Sequence, residues 1–516
     1  MLDFSQHWPD VRVGDTYFVL GHDHVSRSEW KRIKQEYWYQ TLSQKFSCTG
    51  YPEIVLPRAY EHYCRTRGKE PPWASSISPR MKRYLRTAWL QSDNFDPLGI
   101  LLYQQELGFA FAVHDCDIIH DVSSALNVFR LERIRQLGFL HDPVMNEVAG
   151  NCGIGSLFEH TRYMHSLTVM ATASLIGFRS GLSPRDLTHL RVAAVTHDVL
   201  TPAGGDSIKF IDPEAFNEDT HYHEIFQNNP EWSEVRDRYK LDEELLATIV
   251  RGEGLLGQLL DIADKTSYVA HDVDAYMMGN DPRIFHYFKS PDSLMEIWNI
   301  RNGAGHPLCD LWDHIAIKNG RVVITNGRRL AEFLKLRALM FRHLYYNPKA
   351  RYREQMLGIL IVDPLYRSGI VTRKQLISMS DNELYSLLDR SAGRGDLFWA
   401  LSRSDFAPEV ESYRDLATAK ARAQSLITRN PNLLVMFEVF PPISNKAVRY
   451  FVQDKNGAAL PFAEAYPEEA KEILMLSSDP NPAILYVLDI KKTNGVISAD
   501  LQKALLVQQR KRIGLE

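Results

Sequence analysis

Four long stretches of this chain repeat apolar residues at three- and four-residue spacing: 156–179, 184–198, 242–276 and 328–346. That period marks one face of an α-helix, so the middle of the chain must build its core from packed helices. At 516 residues the chain exceeds one compact core, and two or three domains are expected. The expected division is a helical extension over 1–115, a helical core over 116–350 and a small α+β region over 351–516. The fold class is therefore mainly α.

Within the extension, helical stretches at 29–45, 58–66 and 97–113 stand on either side of a Pro/Ser-rich break at 68–79. The basic run Arg80–Arg86 after that break reads as a solvated helix face. The loop Gly150-Asn-Cys-Gly-Ile-Gly155 does not follow a strand and is not read as a dinucleotide loop. An Asn319-Gly320 pair between two alternating runs predicts a hairpin over 315–324. Ser380-Asp-Asn-Glu383 is a capping box ahead of a short helix. Strands of one small sheet are expected at 433–440, 448–452 and 483–489, and the last helix ends in Arg510-Lys-Arg512.

Composition narrows the function classes. A net charge of −4 gives no reason to expect nonspecific nucleic-acid binding, which would need a local basic groove. The five cysteines (48, 64, 116, 152 and 309) include no C-x-x-C pair and read as reduced thiols. The N-terminus is polar and acidic, unlike a signal peptide. No apolar run approaches the ~20 residues needed to span a bilayer. The expectation is a cytoplasmic protein without membrane contact.

The helices also carry the candidate chemistry. His197-Asp198 closes the apolar run Leu190–Thr196, His165 sits in the preceding helical stretch, and Asp264 lies in the following one. Two imidazoles and two carboxylates from three helices can converge on one divalent metal. This mixture suits Mn, Fe, Zn or Ni, while Mg prefers oxygen alone. His-Asp occurs five times, but only 197–198 ends an apolar helix with a His before it and an Asp after it at helical positions. Singly, His165 reads as a half-buried core histidine and Asp264 as a capping or solvated acid. The four together outweigh that reading.

Several separated motifs resemble the HD-domain deoxynucleoside triphosphate triphosphohydrolases, from about residue 129 to about 390. They are Phe129-Arg130-Leu-Glu-Arg-Ile-Arg-Gln136-Leu137-Gly138, Arg162-Tyr-Met-His165-Ser-Leu-Thr-Val169, His197-Asp198 and His223-Glu224. Asp264-Lys265-Thr-Ser-Tyr268-Val-Ala-His-Asp272 and the stretch from Arg337 to Tyr345-Tyr346 complete the set. The resemblance implies an all-helical HD core that cleaves a dNTP to deoxynucleoside and triphosphate, with His165, His197, Asp198 and Asp264 holding one divalent ion (Mn, Mg, Fe, Zn or Ni). It implies that Arg162, Lys265 and Arg337 contact phosphate, and that Gln136, Tyr268, Asp272 and Tyr345 contact sugar and base. It also implies a homo-oligomer.

The chain departs from the family pattern just after the HD pair. Leu200 stands where the family has glycine, Asp206 where it has a histidine beside the scissile phosphate, and Lys209 where it has an acid. Asp206 is therefore one candidate acid–base group, with the alternative that it caps the turn Gly-Gly-Asp-Ser. His223 is the second candidate. The altered loop keeps two further functions open: an HD phosphohydrolase acting on another nucleotide or phosphate monoester, and a nucleotide-binding regulatory protein without turnover.

Overall fold

The structure, a computed structural model, describes residues 116–134, 136, 161–278, 311, 314–391, 394–395, 408–440, 450–454, 456–477, 481–493 and 499–512. The N-terminal stretches expected as helices, the basic run Arg80–Arg86 and the loop 150–155 lie outside the described residues.

The first half is helical. It runs through α1 (Cys116–Ala125), α2 (Arg162–Arg179), α3 (Pro184–Thr196), the single turns α4 (Asp206–Lys209) and α5 (Glu218–His221), α6 (Pro230–Tyr239), α7 (Glu243–Val250) and α8 (Gly254–Met278). A tight turn, Val128–Arg133, follows α1, and a second, Tyr222–Phe226, follows α5. The α2 helix packs against both α3 and α8 and buries Val169, Met170, Ala173 and Ile176. Helix starts follow local chemistry. Ser183 caps α3 with Pro184 as its first residue, Asn229 caps α6 ahead of Pro230, and Asp242 caps α7.

One helix expected over 242–276 is two. The chain breaks between α7 and α8 at Arg251–Glu253, where Gly252 and Gly254 hold φ of 75° and 67°. Left-handed backbone costs glycine little and other residues more. Gly257 then packs onto the break: a Cβ there would lie 2.5 Å from the Gly252 carbonyl carbon.

The hairpin forms as predicted. Strands β1 (Ile315–Lys318) and β2 (Arg321–Ile324) pair antiparallel, with Asn319 and Gly320 at φ of 52° and 70°. This doubly left-handed turn matches the strand twist. Next come α9 (Gly327–Met340), a wide π turn at Phe341–Tyr345, α10 (Pro348–Gln355) and a second π turn at Met356–Val362. Three short helices follow: α11 (Asp363–Arg367), α12 (Arg373–Ser378) and α13 (Asp381–Asp389). The capping box Ser380/Glu383 opens α13, and a second one, Thr372/Gln375, opens α12.

The last region adds β3 (Glu409–Tyr413), α14 (Leu416–Arg429), β4 (Leu433–Val439), β5 (Phe451–Gln453) and β6 (Ala459–Pro461). It ends with α15 (Phe462–Ala465), α16 (Pro467–Ser477), β7 (Ala483–Asp489) and α17 (Ala499–Arg512). Strands β3, β7 and β4 form an antiparallel sheet with α14 against it. By contrast, β5 leaves its own region and joins β2 in parallel, giving the order β1-β2-β5-β6. One buried cluster runs from Val122 through Leu334 and Leu360 to Tyr486 and Leu505. The helical half and the last region therefore share a core.

Candidate metal centre

His197 and Asp198 sit where α3 ends. The helix reaches its last residue at Thr196, His197 keeps helical backbone as the cap, and Val199 N closes a turn on Thr196 O at 3.0 Å. His165 lies in the first turn of α2, and Asp264 lies near the middle of α8. Because α2 packs between α3 and α8, the three side chains meet. Ligand atoms of His165, His197 and Asp264 all lie within 4.8 Å of one another.

His165 Nε2 is 2.9 Å from Asp264 Oδ1, and His197 Nε2 is 3.7 Å from the same oxygen. Asp198 flanks the group, with Oδ1 3.6 Å from His197 Nε2 and Oδ2 3.9 Å from His165 Nε2. Arg162 donates to Asp198 Oδ2 at 3.1 Å, so this carboxylate stands at the edge of the cluster with one oxygen engaged.

The donor chemistry fits a divalent ion. His197 Nδ1–H donates to the Ala194 carbonyl at 2.7 Å, which fixes the tautomer and leaves the Nε2 lone pair facing the carboxylates. That Nε2 is buried and makes no hydrogen bond among the described residues. A buried polar atom in this state needs a reason, and a metal position supplies one. Burial opposes charge on His197, yet Asp198, Asp264 and the Ala194 carbonyl raise its imidazole to about 10. Burial resists ionisation of Asp198 too, but His197, Arg162 and His165 hold its carboxyl at about 2. Burial acts the same way on Asp264, and the two histidines keep its carboxyl well below the usual range. The cluster is built to attract positive charge, as a proton or as an ion.

A line of alternating charges leads away from the centre. Arg162 reaches Asp206 Oδ2 at 3.5 Å, Lys209 reaches Asp206 Oδ1 at 3.0 Å, and Lys209 reaches Glu218 Oε2 at 3.2 Å. Thr201 Oγ1 donates to Glu218 Oε1 at 2.8 Å. Against the cost of burial, Lys209 and Arg162 hold Asp206 below the usual carboxylate range, so it is an ionised acceptor. Burial, partly offset by Lys209, pushes the Glu218 carboxyl up. Glu218 was not singled out from the sequence. Its only local signal is the acid pair Glu218-Asp219 on a one-turn helix capped by Asn217.

The loop after the HD pair is held from outside. Arg130 donates to the carbonyls of Val199 at 2.9 Å, Thr201 at 2.8 Å and Met379 at 3.0 Å. Ala203 N pairs with Leu376 O at 2.9 Å and Gly204 N with Asp381 Oδ1 at 2.8 Å. His223 is exposed on the turn Tyr222–Phe226 and makes no hydrogen bond or ion pair among the described residues. His221 is bound to Glu224 at 2.7 Å.

Of the other predicted residues, Arg337, Tyr268, Asp272 and Tyr345 form a second group along α8. Arg337 Nε donates to Tyr268 OH at 2.7 Å, and its guanidinium lies 4.6 Å from the Phe341 ring centroid. Tyr345, placed by the first π turn, donates a short hydrogen bond to the buried Asp272. The rings of Tyr268 and Tyr345 meet edge to face at 6.0 Å. Gln136 is buried, and its Oε1 has no hydrogen-bond partner among the described residues. Lys265 is held by Asp261 and by Tyr450, a residue that sequence reasoning did not select.

Residues 162–269 match the family model for the HD domain, so the chain carries an HD domain that includes all four candidate ligands. No curated protein matches the sequence. Among solved structures, a hypothetical protein from Aquifex aeolicus is similar at 15% identity and a TM-score of 0.51. That match covers 74% of this chain and 93% of that one. At this identity the likeness establishes the fold. A phosphohydrolase from Bacteroides thetaiotaomicron aligns at 15% identity and a TM-score of 0.49, over 72% of this chain and 95% of that one. Among the described residues, no helix is long and apolar enough to cross a membrane.

Proposed function

We propose that this protein is a metal-dependent nucleotide phosphohydrolase that cleaves dNTPs to deoxynucleoside and triphosphate. The observation that carries the reading is the convergence of His165, His197 and Asp264 inside an HD domain, with a buried His197 Nε2 that has no hydrogen-bond partner among the described residues. His165, His197, Asp198 and Asp264 would hold the ion. Bound there, it would lower the pKa of water and neutralise charge developing on phosphorus.

The chain's own residues supply the rest. Arg162 fixes Asp198 and aims its second nitrogen toward Asp206. Asp206, ionised and half-exposed, accepts a hydrogen bond from the attacking water and orients it. Asp206 and Glu218 share Lys209, and Glu218 is the group on this line suited to carry a proton to the leaving oxygen. Arg337 and Lys265 bind the polyphosphate. Tyr268, Asp272, Tyr345 and Gln136 enclose the nucleoside.

A second reading is favoured by one specific observation. Where the resemblance leads to a histidine and an acid, the Asp206–Lys209 ion pair stands instead. That change suits hydrolysis of another nucleotide or a phosphate monoester in the same centre.

Ion-exchange analysis of products from the four dNTPs with Mn or Mg tests the first reading. Wild-type protein is expected to release deoxynucleoside and intact triphosphate. His197→Ala and Asp198→Ala should abolish the activity, and Asp206→Asn should lower kcat on the order of 10²–10⁴-fold. Metal-loaded protein that turns over no dNTP would remove this reading and favour the second.

A further inference from the structure

Lys265 follows the candidate ligand Asp264 directly, yet its ammonium faces away into a closed arrangement of its own. Its Nζ is 2.6 Å from Asp261 Oδ1, 2.6 Å from Asp261 Oδ2 and 3.2 Å from Tyr450 OH. A lysine has three N–H donors and no acceptor, and these three oxygens match them one for one. Tyr450 OH in turn donates to Asp261 Oδ2 at 2.6 Å, which closes the triangle. The ammonium also lies 5.5 Å from the Tyr450 ring centroid. The lysine side chain is 12% exposed and the Asp261 side chain 37% exposed, so the carboxylate is the partner that can swing toward solvent.

Tyr450 comes from 185 residues further along the chain and from outside the HD domain. Its position is fixed by backbone pairing. Phe451 and Val452 of β5 pair with Val323 and Ile324 of β2, and Phe462 N donates to Tyr450 O at 2.8 Å. Gln258, on α8, accepts from Val322 N at 3.3 Å, tying the same strand to the helix that carries Asp261 and Lys265. Burial, with Asp261 adding to it, pushes the Tyr450 hydroxyl well above its ordinary value, so it remains a donor to that carboxylate. Arg337 and Tyr268 lie within electrostatic reach of Tyr450, which puts the triangle beside the second residue group along α8.

We propose that Asp261 and Tyr450 are positioning residues that make Lys265 selective for polyphosphate: a ligand engages Lys265 only by displacing Asp261. A polyphosphate carries enough charge to take the ammonium from an internal carboxylate, and a single phosphate, with about −1.5 to −2, competes poorly. Tyr450 keeps its hydrogen bond to Asp261 through the exchange and gives the released carboxylate a partner. The inference rests on the reading of Lys265 as a phosphate-binding residue, and it does not require turnover.

Equilibrium dialysis of the full-length protein with inorganic tripolyphosphate and with orthophosphate tests it. Wild type is expected to prefer tripolyphosphate strongly. Asp261→Asn should tighten orthophosphate binding by about tenfold, the effect of one charge-assisted hydrogen bond, and narrow the preference. Tyr450→Phe should narrow it less, and Lys265→Met should abolish it. An unchanged ratio in Asp261→Asn, wild-type binding by Lys265→Met, or no preference in the wild type each overturns the proposal. Should Asp261→Asn fail to fold, Tyr450→Phe decides, since it removes only a hydroxyl and a purely structural role would shift stability without shifting the ratio. A protein that hydrolyses no dNTP but shows these ratios loses the proposed function and keeps this inference.

Discussion

Between Asp198 and Asp264, the His197 imidazole is raised to about 10 although burial opposes its charge. Its folded value lies above the ordinary 6.5, so the protonated ring stabilises the metal-free fold fully below about 6.5. That contribution fades as pH rises toward about 10. A divalent ion bound in this cluster would replace the proton, so its binding is expected to strengthen as pH rises. Thermal unfolding with and without EDTA checks both signs. The gap in Tm between metal-free wild type and His197→Ala should shrink from pH 6.5 to 10, while the Tm gain from added Mn grows. A metal-free gap that widens with pH would contradict this assignment. His165, His197, Asp198 and Asp264 could be picked from the sequence because His165 and Asp264 lie on helices, and His197-Asp198 directly follows one, whose periods are visible locally. Glu218 could not, because its importance comes from Lys209 and Thr201, which reach it only after the chain folds back.

The one-turn helix α4 carries Asp206 and Lys209, and four residues cannot hold a helix by themselves. It rests on the second π turn, Met356–Val362, where Gly358 touches it: a Cβ there would lie 2.0 Å from Ser207 O. Gly358→Ala must push these two turns apart. The expected cost is about 1–3 kcal/mol, as for other overpacked sites. A lowered Tm should come with a larger loss of kcat than of metal affinity, because Asp206 moves while the ligands on α2, α3 and α8 stay. Wild-type Tm in this variant would argue against the contact. At this scale the hairpin and the capping box at Ser380 were legible, since turn and cap chemistry is carried by adjacent residues. The break between α7 and α8 was not. The apolar period runs on through both helices, and the left-handed backbone at Gly252 and Gly254, with Gly257 packed onto it, makes the interruption.

The shared core is reinforced by one buried charge group at the junction of the helical half and the last region. Arg351 on α10 forks onto Glu438 of β4 and bonds Glu354 at 2.9 Å, and Gln355 donates to Glu438 at 3.1 Å. Burial pushes Glu354 up to about 8, although Arg351 opposes this. Arg351→Met leaves Glu438 and Glu354 buried beside each other without that cation, which should cost about 3–5 kcal/mol. Urea unfolding is expected to remain a single transition with a lower midpoint, and a midpoint within error of wild type would contradict the role given to Arg351. The sequence by itself determined the helical class, the residue types of a metal centre and the local starts and stops of elements, because periodicity, capping and turn chemistry act over a few neighbouring residues. The tertiary structure decided that β5 crosses to pair with β2, that Arg130 clamps the loop after the HD pair, and that Asp261 and Tyr450 take all three donors of Lys265. Those contacts join residues that are distant along the chain or fixed by distant packing, and no local pattern encodes which side chains will meet once the core closes.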